Sequence, residues 1–408
     1  MRVLVVRAAF AAALLPVGAG AQTLSLTESQ AIARLSDESP RVQALRVAVD
    51  VARAEVLAAG RWPNLRVSFN REGVSGVAEH YLTVAQVLPV SGRRRLETSA
   101  ALARVEATSH RVEDQLRRLR ADLRLAFTDL WTAQFREEEL ARSRDRLREL
   151  ADVLGRREAA GESAGFDRLR AERGVIDVEA DRAAAAAERA QAEGLLVSFF
   201  PSASAAAGGV EAIRPNQPPT PLPSIEDLVA RADVARGELL ALAREREAAE
   251  FMGQVARRRR IPDPEVVAGT KSSNAGGGDV GGLVGVQVSL PLFDRGRPER
   301  AAALARAAQV DAEAEALRLT VRTEIGAWRA AVVERRAAAE RYRAAVNGSV
   351  DDIERIAQIS YDSGEAGILE LLDAFRTSSS ARVRQVMLDR AVREAEIELE
   401  FVSGWEIP

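Results

Sequence analysis

The chain carries the same plan twice. Ala33-Arg34 and the segment Val42-Gln43-Ala44-Leu45 recur as Ala230-Arg231 and Leu239-Leu240-Ala241-Leu242, 197 positions on. Pro63 then matches Pro262, Leu88-Pro89-Val90 matches Leu290-Pro291-Leu292, and Gly161-Glu162 matches Gly364-Glu365. Asp167, Leu169 and Ala171 face Glu370, Leu372 and Ala374, by which point the offset has crept to 203 with the order unbroken. Duplication with small insertions explains this, and it constrains the fold strongly, because whatever one half becomes the other must resemble. The organisation expected is a segment 1–21, a first repeat over 22–200, a linker over 201–223 and a second repeat over 224–408. Six of the 15 prolines fall in that linker beside an Ala/Ser/Gly run, so it is expected to be extended.

Each half reads as a short helix, a strand pair, a very long helix and another helix. Thr27-x-x-Gln30 and Ser224-x-x-Asp227 are helix starts that open the repeats. Val112, Leu116, Leu119, Leu123, Phe127 and Leu130 step by threes and fours, as do Leu317, Val321, Ile325, Trp328 and Val332, which is coiled-coil spacing. No proline interrupts 91–157 or 299–362, so each long helix can run about 100 Å, too long to bury itself in a globule. Strands are expected at 65–71, 80–88, 264–271 and 281–290, near the length that crosses an outer membrane when tilted. Val284, Val286, Val288 and Leu290 alternate with Leu283, Gly285, Gln287 and Ser289, giving one apolar face, which is expected to meet lipid. Two hairpins cannot close a barrel, so several chains must pool their strands.

Composition excludes several classes. Only 4% of residues are aromatic against 47% hydrophobic and 29% charged, a balance that suits helices packed on helices. A net charge of −3 speaks against nucleic acid as a partner, and the absence of cysteine removes disulfides and thiolate metal sites. His80 and His110 have no neighbours at metal-ligand spacing, so no metal and no cofactor is expected. Arg2 and Arg7, the apolar stretch 8–15 and Ala19-Gly20-Ala21 form a secretory signal with cleavage expected after Ala21. The Gly-rich run 276–282 lacks the Gly-Lys-Ser/Thr of a phosphate loop and reads as a flexible loop. No concave apolar site separates paired carboxylates, and the chain is not read as an enzyme.

Tyr361-x-x-Gly364 followed by Glu370-Leu-Leu-Asp373-Ala374, together with the prolines at the strand-to-helix junctions, Pro89 and Pro291, resembles the TolC family of outer-membrane efflux proteins. The stretch from Gln86 to Arg95 looks like the heavy-metal-efflux branch of that family. The resemblance implies a mainly α fold with a small β part, in which long coiled-coil helices form a helical barrel in the periplasm. It also implies a homotrimer whose twelve-stranded transmembrane β-barrel takes four strands from each chain. An outer-membrane location follows, as do a periplasmic adaptor (membrane fusion) protein and an inner-membrane efflux pump as partners. The function implied is a duct exporting drugs or metal ions. The alternative is a periplasmic coiled-coil scaffold or adaptor that enters no membrane, which leaves the duplicated strand pairs without purpose.

The resemblance places a constriction at the helix tips, with Tyr361, Gly364, Glu370, Asp373 and, in the first repeat, Asp167 as its residues. Glu370 and Asp373 stand three apart on one helix face, and three copies would set six carboxylates around the axis. The sequence departs from the family in having no basic residue among Ala366, Gly367, Ile368 and Leu369, and in offering Asp167 and Arg170 in the first repeat. Arg93, Arg94, Arg95, Arg257, Arg258, Arg259 and Arg260 flank the strands on the side where the helices begin. With Trp62 they are expected to anchor the protein to outer-membrane phospholipid headgroups.

Overall fold

The computed structural model describes residues 23–161, 165–201, 209–215 and 220–406. The expected secretory signal lies outside the described residues. In chain order the elements are β1 (Leu24–Leu26), α1 (Glu28–Ala33), α2 (Pro40–Gly60), β2 (Arg66–Val74), β3 (Val77–Val87), α3 (Arg93–Ala159) and α4 (Gly165–Val197). There follow β4 (Val210–Ala212), α5 (Ile225–Ala235), α6 (Gly237–Arg258), β5 (Glu265–Ser273), β6 (Val280–Gln287), α7 (Arg297–Val346), α8 (Ser349–Asp362) and α9 (Ile368–Ser403). The chain is therefore mainly helical, and among the described residues no helix is long and apolar enough to cross a membrane.

Two compact units divide the chain, one from Met1–Arg34 and Ala126–Asn216, the other from Leu35–Leu125 and Gln217–Pro408. In the first, β4 pairs parallel with β1, Leu24 opposite Val210 and Leu26 opposite Ala212. Within the Pro-rich segment, Val210–Ala212 thus supplies a strand. Glu193 accepts the Val210 amide at 2.7 Å and Gln134 accepts that of Ala212 at 3.0 Å, so the strand's outer donors are satisfied.

Both expected helix starts are present. Thr27 and Gln30 close a reciprocal capping box at α1 in the first unit, and Ser224 accepts the Asp227 amide at α5 in the second. Val321, Ile325 and Val332 on α7 meet Leu228 and Ala232 of α5 and Ala395, Leu399, Val402 and Trp405 at the end of α9. The coiled-coil spacing is therefore a packing stripe, with Trp328 and Leu317 packed at its edge. Ion pairs run beside it: Arg336 grips Glu396 at 2.6 and 2.9 Å, and Arg118 grips Glu398 with two bonds at 2.6 and 2.8 Å. Those bonds raise the Arg118 pKa above its ordinary value despite burial.

α3 is continuous for 67 residues, as expected. Its counterpart is not: α7 stops at Val346 and α8 begins at Ser349, although no proline intervenes. Asn347 is extended at φ −61, ψ 116 and Gly348 turns at φ 79, a conformation that costs a side chain-bearing residue about 1–2 kcal/mol and glycine little. Glycine, not proline, punctuates the second repeat here.

Candidate functional site

The candidate site begins with a sheet. β2, β3, β5 and β6 form one antiparallel four-stranded sheet in that order, joining the hairpin of one half to the hairpin of the other through β3 and β5. The first hairpin is tighter than the expected loop, since β2 and β3 are joined by Ser75 and Gly76 with φ 52 and 84, the pair of positive φ values a two-residue turn requires.

The register sorts the side chains. Val67, Val84, Ala268 and Val284 lie in one cross-strand row, and Phe69, Leu82, Thr270 and Gly282 in the next. Residues paired across antiparallel strands share a face. That face is apolar and bare: Val284 is 83% exposed, Val286 68% and Phe69 65%. The opposite face carries Ser68 against Thr83, their hydroxyls 2.6 Å apart, and a cluster in which the Glu79 carboxylate accepts from the Tyr81 hydroxyl at 2.6 Å and pairs with Lys271 at 2.7 Å. Arg66 and Glu265 pair on that same face at 3.3 Å. A sheet with an apolar face in the open and a polar face lined by ion pairs is inverted relative to a water-soluble protein. Among the described residues β2 and β6 also leave their outer ladders unpaired, which is a template for another strand.

Where the helices join the sheet, an elbow is locked by Asp263. Its carboxylate accepts the Ser91 amide at 2.8 Å, the Ser91 hydroxyl at 3.2 Å and Arg93 Nη2 at 2.6 Å. Burial pushes this carboxyl up, but the bonds from Arg93 and Ser91 outweigh burial and hold it below its ordinary value. Arg94 stacks 4.9 Å from the Trp62 ring and donates to the Gly60 carbonyl at 3.0 Å. Arg259 pairs with Glu299 at 2.7 Å and Asp294 at 3.1 Å. Arg95, Arg257, Arg258 and Arg260 are exposed and form no ion pair among the described residues. The seven arginines read alike from the sequence thus separate into three with structural partners and four without. Nothing in the sequence spacing singles out Asp263; its only signal is its place between Pro262 and Pro264, just ahead of β5.

The two helix tips fall in different units. In the second unit α8 ends at Asp362, and Gly364 at φ 78 lets the chain reverse, with the Glu365 and Ala366 amides returning to the Ser360 carbonyl at 2.8 and 3.0 Å. α9 then buries Ile368, Leu371, Ala374 and Phe375, while Glu370 and Asp373 stand exposed with no ion pair among the described residues. Tyr361 is half-buried at the end of α8. In the first unit Gly161 turns at φ 77, and Asp167 sits half-buried in the first turn of α4 beside Arg168, which pairs with Glu158 and Glu172. Among the described residues no group of three or more His, Cys, Asp or Glu is placed to hold a metal.

Residues 228–404 match the outer membrane efflux protein family. The cobalt-zinc-cadmium resistance protein CzcC of Cupriavidus metallidurans is 26% identical over 326 residues, 78% of this chain and 75% of that protein. The fold matches the Campylobacter jejuni CmeC outer membrane channel with a TM-score of 0.77 at 14% identity, over 92% of this chain and 85% of that one. It matches CusC, solved in the context of transmembrane channel formation, with a TM-score of 0.74 at 17% identity over 93% and 92% of the two chains.

Proposed function

We propose that this chain, which has the fold of the outer membrane efflux channels over 92% of its length and the sequence pattern of the efflux family over residues 228–404, is one of three copies forming an export duct. The members of this family are channel proteins rather than enzymes. The observation that carries the reading is the four-stranded sheet, bare and apolar on one face, polar on the other and unpaired at both edges. In water such a face is costly, at roughly 25 cal/mol per Å² of apolar surface left uncovered. In a bilayer it faces hydrocarbon, and the unpaired edges pair with those of neighbouring copies, as a closed barrel demands. The duplicated halves, read as 22–200 and 224–408, each supply one hairpin.

Water-filled and lined by the Glu79, Tyr81 and Lys271 cluster, such a barrel exerts little selection on what passes. The cargo is set by an inner-membrane pump and a periplasmic adaptor, and the likeness to CzcC supports metal ions as the first cargo to assay. At the tip of the second unit, Glu370 and Asp373 of each copy form an acidic constriction, with Tyr361 and Gly364 shaping the turn beside it; Asp167 holds the matching repeat position in the first unit. Docking of an adaptor supplies the differential binding that opens the tip. Separation of cells into outer membrane and periplasm tests the reading: a detergent-extracted trimer from the outer membrane fits a duct, whereas a chain released with the periplasm fits the scaffold alternative and overturns it.

A further inference from the structure

Beside the elbow lies a cleft of about 410 Å³ lined by Arg61, Trp62, Arg93, Arg94, Asp263 and Glu97. Its position follows from the chain: residues 61–64 lead into β2, 89–94 leave β3 and Asp263 leads into β5, so it lies at the helix-side ends of three adjacent strands. In a barrel built from this sheet that level is where hydrocarbon gives way to headgroups.

Its lining is unusual for a structural crevice. Asp263 is occupied by Arg93 and Ser91, which leaves the elbow satisfied without the rest of the cleft. Arg94 uses Nη1 on the Gly60 carbonyl while its guanidinium carbon sits 4.9 Å over the Trp62 ring. A guanidinium held by a hydrogen bond and a ring contact is oriented, and an oriented fork binds a phosphodiester with two parallel bonds at a smaller entropic cost than a free one. Arg61, the neighbour of Trp62, is exposed and has no ion pair among the described residues. Trp62 is 55% exposed, and its indole is an amphipathic surface of the kind that settles at a membrane interface.

From these features we infer that the cleft is a phospholipid site, in which Arg61 and Arg94 hold the headgroup phosphate and Trp62 packs against the glycerol and upper acyl region. The inference rests on the duct reading and moves the lipid contact from the seven arginines to this cleft, where Arg61 joins Arg94. Arg93 and Arg259, already paired, serve the elbow.

The test uses the full-length protein in vesicles of phosphatidylglycerol and phosphatidylcholine, extracted in mild detergent and weighed by native mass spectrometry for retained phosphatidylglycerol. The parent is expected to keep lipid through washing, including in excess inorganic phosphate, and Arg61→Gln/Arg94→Gln to lower the retained fraction about tenfold. Arg257→Gln/Arg260→Gln, exposed but outside the cleft, is expected to retain lipid as the parent does. Equal loss in both double variants, no loss in the first, or displacement of lipid by inorganic phosphate overturns the site. Should the first double variant fail to insert, Arg61→Gln alone decides, because Arg61 forms no hydrogen bond or ion pair among the described residues whose loss would disturb folding. A parent that inserts but retains no lipid removes the cleft and leaves the duct standing; a parent that never inserts removes both.

Discussion

Asp263 shows how much one side chain can hold. Its three bonds join the turn before β5 to the turn after β3, so the two halves of the sheet depend on it at their helix side. Asp263→Asn removes the charge that Arg93 opposes and is expected to cost about 1–3 kcal/mol, read as a lower unfolding midpoint. Because the folded-state pKa is depressed, the parent's share of this stability is present above the ordinary carboxylate value near ~4 and is lost as pH falls through the lower folded value. An acid titration of the parent and of Asp263→Asn should converge at low pH; parallel curves down to acid would show that the lock contributes nothing. A second residue is as constrained. A Cβ on Gly237 would stand 2.2 Å from the His110 carbonyl oxygen, and the Gly237 amide at the start of α6 is accepted by the buried Asp114 carboxylate at 3.0 Å. Gly237→Ala is therefore expected to destabilise by about 1–3 kcal/mol, and an unchanged unfolding midpoint would refute the close approach.

At the scale of elements, helix and strand positions were legible from the period of their apolar residues, because that period is a direct consequence of which face must be buried. Val284 and Val286 are an example: alternation in the sequence and exposure on one face of β6 are the same fact seen twice. Val286→Arg is accordingly expected to cost about 2–4 kcal/mol if the residue lies near the bilayer midplane, seen as loss of folded protein in the outer membrane; unimpaired assembly would deny that the face meets lipid. Long-range partners were not legible. The pairing of β4 with β1 joins residues 186 apart at Ser25 and Glu211, and no local signal marks it. The break between α7 and α8 was missed for a different reason. No proline marks the stop, and Gly348 only permits a turn that the packing of α8 on α9 fixes, with Arg382 held by Glu354 at 2.9 Å and Asp351 at 2.7 Å. The tip pattern from Tyr361 to Ala374 was recognisable, but which arginines were already paired was not, since Asp263, Asp294 and Glu299 come from other stretches of the chain.

At the scale of the whole molecule, the duct account ties the tips to conduction. Replacing Glu370 and Asp373 with Ala is expected to raise single-channel conductance in planar bilayers and to weaken block by multivalent cations, since the like charges would no longer be gathered at one level. Conductance and block matching the parent would return both residues to an ordinary exposed helix face. The central claim, that three copies close one barrel by pairing β2 of each with β6 of the next, is open to a direct test because the natural chain contains no cysteine. A cysteine at Ser68 of β2, combined in turn with one at each position of 281–287 in β6, should be cross-linked in the outer membrane by a short thiol-reactive linker. The account expects at least one pairing to carry the protein into a covalent ladder that ends at the trimer. A ladder that stops at the dimer, runs past the trimer, or never forms for any pairing would contradict it.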